Sequence, residues 1–334
     1  SVGFLAKRYG IQIPSRKMSP RQKKELEEKE RLLRINAQAA EHFKRALEKP
    51  GTGKKARQFL DKRQMTPEIT GRFLLGYAPK SWTDIIQHFS RQGTAVEDLE
   101  KAGLVVANKG RHYDRFRDRI IFPILDVHGK VVGFGGRCLD DSLPKYLNSP
   151  ETPVYHKSKT LYGLHAAKEA CRRSGSAFIV EGYFDLLALQ CKGIQNVVAT
   201  LGTALTRQHV RVMKGYAKQM ILVFDSDEAG IKAAKRSLTV FMEEKVDARI
   251  LVLPEGTDPD SYIQEVGADR FIKAAESAEA AMPFLETSAI EQHGLSLEGK
   301  VRVVDALKGP LGSLADSVSR SVYIRDLAER LDID

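Results

Sequence analysis

The spacing of apolar and polar positions along this chain changes twice, and each change marks a different kind of element. From about Pro20 to Leu47, residues Leu26, Leu33, Ala37, Ala40 and Leu47 approximate one stripe among abundant Lys and Glu, the pattern of a single long helix that needs a partner to cover it. Pro50-Gly51-Thr52-Gly53 must stop that helix, and Thr66-Pro67-Glu68 opens a short one with proline at its first position. Short helices and loops are expected to continue to Gly103. From Arg115 the run RFRDRIIFPILDVHGKVVGFGGR reads as two β-rich strands joined at Asp126–Gly129, where the His-Gly step suits a hairpin turn. Period-2 alternation then predicts Arg115, Arg117 and Arg119 on one face of the incoming strand, a row suited to phosphates.

After Ser176 strands and helices alternate. Strand Ala177–Val180 leads to helix Tyr183–Cys191, strand Asn196–Thr200, helix Thr206–Tyr216, strand Met220–Phe224, helix Ala229–Lys245 and strand Ala248–Leu253. A βαβαβαβ order predicts an α/β fold whose parallel sheet is covered by helices. Beyond Pro254 a helix is expected from Asp258 to about Ser277, and the remainder to Asp334 reads as helical with a break at Gly309-Pro310. Neither an internal repeat nor a low-complexity tract is visible.

A chain of 334 residues suggests two or three domains at ~100–200 residues each. No uninterrupted apolar run reaches the roughly 20 residues of a membrane span, so no membrane association is expected. Cys138, Cys171 and Cys191 are scattered without a CxxC pair, which indicates neither a disulfide framework nor a cysteine zinc site and fits a reducing cytoplasm. The chain begins Ser-Val-Gly without a signal-peptide pattern, and is expected to be a fragment. A net charge of +10 would attract a polyanion, nucleic acid being the commonest, although a solvated surface explains charge equally well. The distribution adds weight: Lys54, Lys55, Arg57, Lys62 and Arg63 cluster early, and Arg111, Arg115, Arg117 and Arg119 follow.

Ligands of an open parallel sheet bind beyond the carboxyl ends of its strands, and there this chain is acidic. Glu181 follows the first strand of the alternating region, Asp225 and Asp227 the third, and Asp258 and Asp260 the fourth, while Asp185 returns to the side of Glu181 one turn later. Six carboxylates in one crevice repel one another unless cations enter. All-oxygen ligands suit Mg²⁺ or Mn²⁺ better than zinc. Bland readings compete. Asp258 before Pro259 has the form of a helix N-cap with Asp260 favouring the dipole, and Asp185 is also explained as an exposed helix residue. Two carboxylates at alternate positions 225 and 227 have no such local explanation.

FIVEGYFDLLAL, then VATLGT and LVFDSDEAG, resemble the Toprim domain shared by bacterial primases, type IA and II topoisomerases and some nucleases. Upstream, RFRDRIIFPILDVHGKVVGFGGR and PKYLNSPETPVYHKSKTLYGL resemble the bacterial DNA primase core, and the likeness runs from about Arg115 to Asp260. The resemblance implies three parts: a mixed α/β N-terminal subdomain (1–156), a Toprim subdomain (157–280) and a C-terminal helical bundle (281–334). It implies that Glu181, Asp225 and Asp227 are catalytic and bind two or more Mg²⁺ or Mn²⁺ ions, with Asp185, Asp258 and Asp260 completing the metal patch and no zinc in this chain. Arg137, Lys145 and Lys157 match the family's basic residues and, with Arg115 and Arg117, would contact nucleoside triphosphates or template. Without the resemblance Lys145 and Lys157 read as surface lysines, and Arg137 as the partner of Asp140 or Asp141 in a loop. Tyr146 and Tyr155 are either base-stacking or packing residues.

The implied function is synthesis of short RNA primers on single-stranded DNA, leaving an RNA–DNA hybrid at the replication fork. The family carries a zinc-ribbon module before this core and a helicase-binding domain after it. Neither is apparent in the sequence, so contacts with the replicative helicase and single-strand-binding protein are expected through regions outside this chain. A Toprim nuclease or topoisomerase fragment, which would cut DNA, and a non-catalytic single-stranded-DNA-binding module are the alternatives. No tyrosine is singled out as a nucleophile, and the Asp225/Asp227 pair argues against a purely binding role.

Overall fold

The computed structural model describes residues 19–202, 204–224, 228–314 and 316–333. Helix α1 (Pro20–Glu48) begins with a complete capping box: Ser19 Oγ accepts from Gln22 N, and the Gln22 side chain reaches back to Ser19 N. Its buried stripe is Leu32, Ile35, Ala39, Phe43 and Ala46, together with Ala40 and Leu47. That stripe is rotated from the expected one: Leu26 is 45% exposed and Ala37 is exposed. The larger Ile35 and Phe43 side chains, missing from the expected stripe, bury more apolar surface and so decide which face turns inward. Helices α2 (Lys54–Lys62) and α3 (Pro67–Arg72) follow, the latter capped by Thr66.

Strand β1 (Gly76–Ala78), helices α4 (Asp84–Ser90) and α5 (Val96–Lys101), and the ribbon β2 (Val105–Asn108) and β3 (Arg111–Asp114) precede the hairpin of β4 (Arg119–Leu125) and β5 (Val131–Cys138). Asp126 organises the hairpin turn by accepting from His128 N and Lys130 N through Oδ1, while Gly129 takes φ +84°. With β6 (Tyr146–Asn148) these strands form an antiparallel sheet in the order β1-β4-β5-β6. Alternate β4 residues face opposite ways. Ile121 and Phe134 join the core under α1, whereas Ile120, Phe122 and Ile124 pack towards the second sheet.

The arginine row does not form. Strand β4 starts only at Arg119, because Asp118 adopts φ +49° and breaks the extended run, its carboxylate held by Tyr77 Oη at 2.6 Å. Arg119 is buried, donating to the carbonyls of Pro144 (2.8 Å) and Lys145 (3.2 Å).

The second sheet contains β7 (Ser176–Val180), β8 (Val197–Ala199), β9 (Gln219–Phe224) and β10 (Asp247–Val252), all parallel, with β11 (Glu279–Ala280) antiparallel at the edge. Its order is β11-β10-β9-β7-β8. Helices α6 (Leu164–Ser174), α7 (Tyr183–Cys191), α8 (Arg207–Met213), α9 (Glu228–Glu243) and α10 (Pro259–Glu276) alternate with or follow the strands. The fold is therefore mixed α/β, with a helix-flanked parallel sheet and a helical C-terminal region.

That region consists of α11 (Ala281–His293), α12 (Leu297–Ser313) and α13 (Ser317–Leu331). Gly309-Pro310 does not break it. Helix α12 continues through Pro310 to Ser313, because Leu307 and Leu311, one turn apart around the proline, are buried with Val303, Leu327 and Leu331. No described helix is long and apolar enough to cross a membrane.

Candidate active site

In the parallel sheet the chain leaves β7 outward to β8 and then returns to β9 on the other flank, so β7 and β9 are neighbours at a topological switch point. A crevice at the carboxyl ends of those two strands follows from that connectivity. Glu181 is the residue after β7. The residues after β9 are Asp225 and Asp227, which lie outside the described residues. A cleft of about 410 Å³ opens here, and its lining includes the carboxylates Glu181, Asp185 and Asp258 together with Arg63, Lys145, Tyr146 and Asn148. Residues of the first sheet's β6 edge thus face the carboxyl ends of the second.

Two of these carboxylates also have local duties. Asp185 Oδ2 accepts from Gly182 N at 2.9 Å and closes the first turn of α7. Asp258 is the N-cap of α10, its Oδ1 accepting from Ser261 N at 2.7 Å. Asp258 is exposed and still lines the cleft, so capping and cleft membership coexist. Asp260 is different. It is 7% exposed and ion-paired at 2.5 Å to Arg63, whose guanidinium carbon also lies 4.9 Å from the Phe184 ring centroid. Burial raises the Asp260 pKa, and Arg63 opposes that rise.

The expected basic residues separate. Lys145 is exposed on the cleft wall. Arg137 sits within β5 rather than a loop, pairs across strands with Tyr146, donates to the Cys138 carbonyl and lies 4.5 Å from the Phe59 ring. Only 9% of it is exposed. Arg115 donates from Nε and Nη2 to the Asn148 carbonyl, at 3.2 and 3.0 Å. Arg117 stands 4.2 Å from the ring of Trp82 and also donates to the Asp114 carbonyl. Lys157 is on the loop before α6, where its carbonyl meets Nε2 of buried His209 at 2.7 Å. Tyr155 is fully buried packing, whereas Tyr146 is 40% exposed in the cleft with its ring 6.2 Å from that of Tyr183.

Four residues outside the expected set of site residues help to build this site. Asn148 is the clasp: Oδ1 accepts from Tyr183 Oη at 2.8 Å and Nδ2 donates to the Leu201 carbonyl at 2.9 Å. Tyr183, which opens α7 two residues after Glu181, stacks on Phe122 at 4.3 Å. Leu201 adopts φ +65° and donates its N–H to the Glu181 carbonyl at 3.2 Å, a conformation costing on the order of 1–3 kcal/mol in a non-glycine residue. Arg63 is the fourth. The glycines of VATLGT and VEG advertise tight turns, but nothing local in the sequence signals that Asn148 and Arg63 reach them.

The cleft offers oxygen donors from carboxylates and no Cys or His in its lining, the donor chemistry of a hard divalent ion that retains several waters. Among the described residues no compact group of three or more His, Cys, Asp or Glu is poised to enclose a metal. An ion held through Glu181 and few other protein oxygens fits this arrangement.

Three family models match the chain: the DNA primase catalytic core, N-terminal domain, over residues 42–168; Toprim-like over 178–263; and the DnaB-helicase binding domain of primase over 284–334. The third corrects the expectation that no helicase-binding module lies within this chain: α11 to α13 carry it, and their helical spacing alone does not distinguish such a module from an ordinary bundle. The DNA primase of Pseudomonas aeruginosa is 40% identical over 325 residues, 93% of this chain and 48% of that protein. The crystal structure of a DNA primase domain from the same organism superposes with a TM-score of 0.84 at 37% identity, covering 91% of this chain and 97% of that one. The DnaG primase catalytic domain bound to ssDNA gives 0.82 at 33% identity, covering 91% and 99%. The chain spans about half the length of the curated relatives it matches.

Proposed function

We propose, because the chain belongs to the bacterial DnaG-type DNA primase family, that it copies single-stranded DNA into short RNA primers from nucleoside triphosphates at the replication fork in the cytoplasm. The observation that carries this reading is the cleft whose lining combines Glu181, Asp185 and Asp258 with Arg63 and Lys145. Side chains of both signs suit two needs. Carboxylates would hold Mg²⁺ or Mn²⁺, and Asp225 and Asp227, which follow β9 in the sequence, would join them. Bound there, two such ions would supply neutralisation of phosphate charge and a lowered pKa for the primer 3′-hydroxyl.

The chain's own side chains do the rest. Lys145 and Arg63 place positive charge where a triphosphate would accumulate negative charge. Tyr146 offers an exposed ring beside them for stacking on a base. Arg115 acts one step back, fixing the Asn148 backbone so that the Asn148 side chain holds Tyr183 and Leu201 in place. Arg137 supports Tyr146 from the neighbouring strand. Arg117 and Lys157, placed away from this wall, would contribute to template or nucleotide binding farther out. Single-stranded DNA bound to a structural neighbour supports the template, and the match over 284–334 supports a replicative-helicase contact within this chain. Single-strand-binding protein and the RNA–DNA hybrid complete the proposed partners.

The test is primer synthesis from labelled nucleoside triphosphates on a single-stranded template with Mg²⁺ or Mn²⁺. Glu181→Gln and Asp225→Asn should each abolish product while preserving template binding. Undiminished synthesis by both variants would sink the site assignment.

A further inference from the structure

Arg63 and Asp260 are 197 positions apart and belong to different parts of the fold, yet they form an ion pair that is largely withdrawn from solvent, with 33% and 10% of the two side chains exposed. Asp260 lies at the second position of α10, in the carboxylate patch that follows β10. Arg63 follows the last residue of α2 and lies against Phe184, in the first turn of α7 beside Asp185. Arg63 is at the same time part of the cleft lining that contains Glu181 and Asp258. Arg63 therefore holds a buried carboxylate while lining the space proposed for the triphosphate.

Resting on that polymerase reading, we propose that Arg63 is an exchangeable tethered cation: it occupies Asp260 in the nucleotide-free enzyme and leaves it to bind the incoming triphosphate, so that a divalent cation takes its place on Asp260. Electrostatics drives the exchange. A triphosphate presents several negative charges and planar oxygen pairs that match the guanidinium fork, whereas Asp260 presents one. A carboxylate as buried as Asp260 is strongly unfavourable without a compensating cation, so departure of Arg63 and arrival of a metal are linked. Linkage is reciprocal: whatever factor nucleotide adds to metal affinity at Asp260, metal adds to nucleotide affinity. Arg63 thereby couples loading of the two ligands and disfavours a metal bound at Asp260 before substrate. The aromatic faces of Phe184 and Phe59, 4.9 and 5.9 Å from the guanidinium carbon, give Arg63 a track along which it swings without losing all its contacts.

Calorimetric titration of Mn²⁺ into nucleotide-free protein tests this directly. Arg63→Met should bind Mn²⁺ about tenfold more tightly than wild type, a coupling of ordinary allosteric size. Arg63→Met combined with Asp260→Asn removes both charges, which buried pairs commonly tolerate, and should abolish the gain. The KM for nucleotide should rise in Arg63→Met and fall severalfold in Asp260→Asn, where Arg63 is already released. Unchanged Mn²⁺ affinity in Arg63→Met, a gain that survives in the double variant, or a raised KM in Asp260→Asn each overturns the proposal. Asp260→Asn decides the matter alone if Arg63→Met does not fold. A wild-type chain that makes no primer yet shows the Mn²⁺ pattern removes the polymerase reading and leaves the exchange at Asp260 standing. Synthesis without that pattern removes the exchange alone.

Discussion

Gly135→Ala is the sharpest probe of how the hairpin sheet positions the turn that carries Glu181. A Cβ at this β5 position would lie 2.0 Å from Tyr183 Oη, 2.2 Å from Cζ and 2.8 Å from Cε2. Tyr183 has little room to move: it is 2% exposed, stacked on Phe122 at 4.3 Å, edge-on to Tyr162 at 4.8 Å, and hydrogen-bonded to Asn148. Overpacking of this kind costs about 1–3 kcal/mol, and breaking the Tyr183–Asn148 bond in a buried site adds about 1–3 kcal/mol. A total of about 2–6 kcal/mol is expected. Because Tyr183 opens α7 immediately after Glu181-Gly182, displacement of order 1 Å should reach Glu181 and lower primer synthesis about 100-fold. Hydrogen exchange over residues 131–138 and 183–191 reads the local stability, and single-turnover synthesis reads the chemistry. Tyr183→Leu removes all three clashing atoms, so Gly135→Ala should cost much less in that background than in wild type. Additive effects in the double variant, or wild-type exchange and synthesis in Gly135→Ala, would refute the assignment of Tyr183 as the link between sheet and site.

Three further outcomes are expected. Glu286, fully buried and paired with Arg330 at 3.0 Å, has its pKa raised from about 4.5 to about 7 by burial; the folded state keeps a proton that the unfolded state loses, so the stability of α11 and α13 should fall as pH rises from about 4.5 to 7 and then level off. The change is at most about 3 kcal/mol, and Glu286→Gln should flatten it in hydrogen-exchange profiles; an unchanged slope counts against the cause. His209, buried with its pKa lowered mainly by desolvation, contributes stability that is intact above its unfolded pKa of about 6.5 and is lost as pH falls below it, so exchange protection of α8 should drop between pH 7 and 5 and the drop should vanish in His209→Gln. Asp258→Ser retains an N-cap of similar quality but removes the carboxylate from the cleft; α10 should keep its stability while primer synthesis comes to need more Mg²⁺, and a wild-type Mg²⁺ dependence would reduce Asp258 to a cap.

Much of this molecule follows from interactions between residues close together in the chain. The 3.6-residue period yields α1 to within a residue, alternation of strands and helices yields the parallel sheet, and acidic residues at strand ends mark the crevice. These features are legible because capping, periodicity and strand-end chemistry are decided within a few residues of chain. Where local patterns mislead, the cause is equally physical. The face of α1 turned inward is set by Ile35 and Phe43 against the sheet. The arginine row is cancelled by the left-handed Asp118 held by Tyr77, and α12 is carried through Pro310 by the packing of Leu307 and Leu311. The site divides in the same way. The order of strands and acidic residues in the sequence places Glu181 at a strand end, and Glu181 lines the cleft. Only the tertiary structure brings Asn148 to Tyr183 and Leu201, and Arg63 across 197 positions to Asp260, because long-range hydrogen bonds and ion pairs depend on where the chain folds back and leave no periodic trace along it.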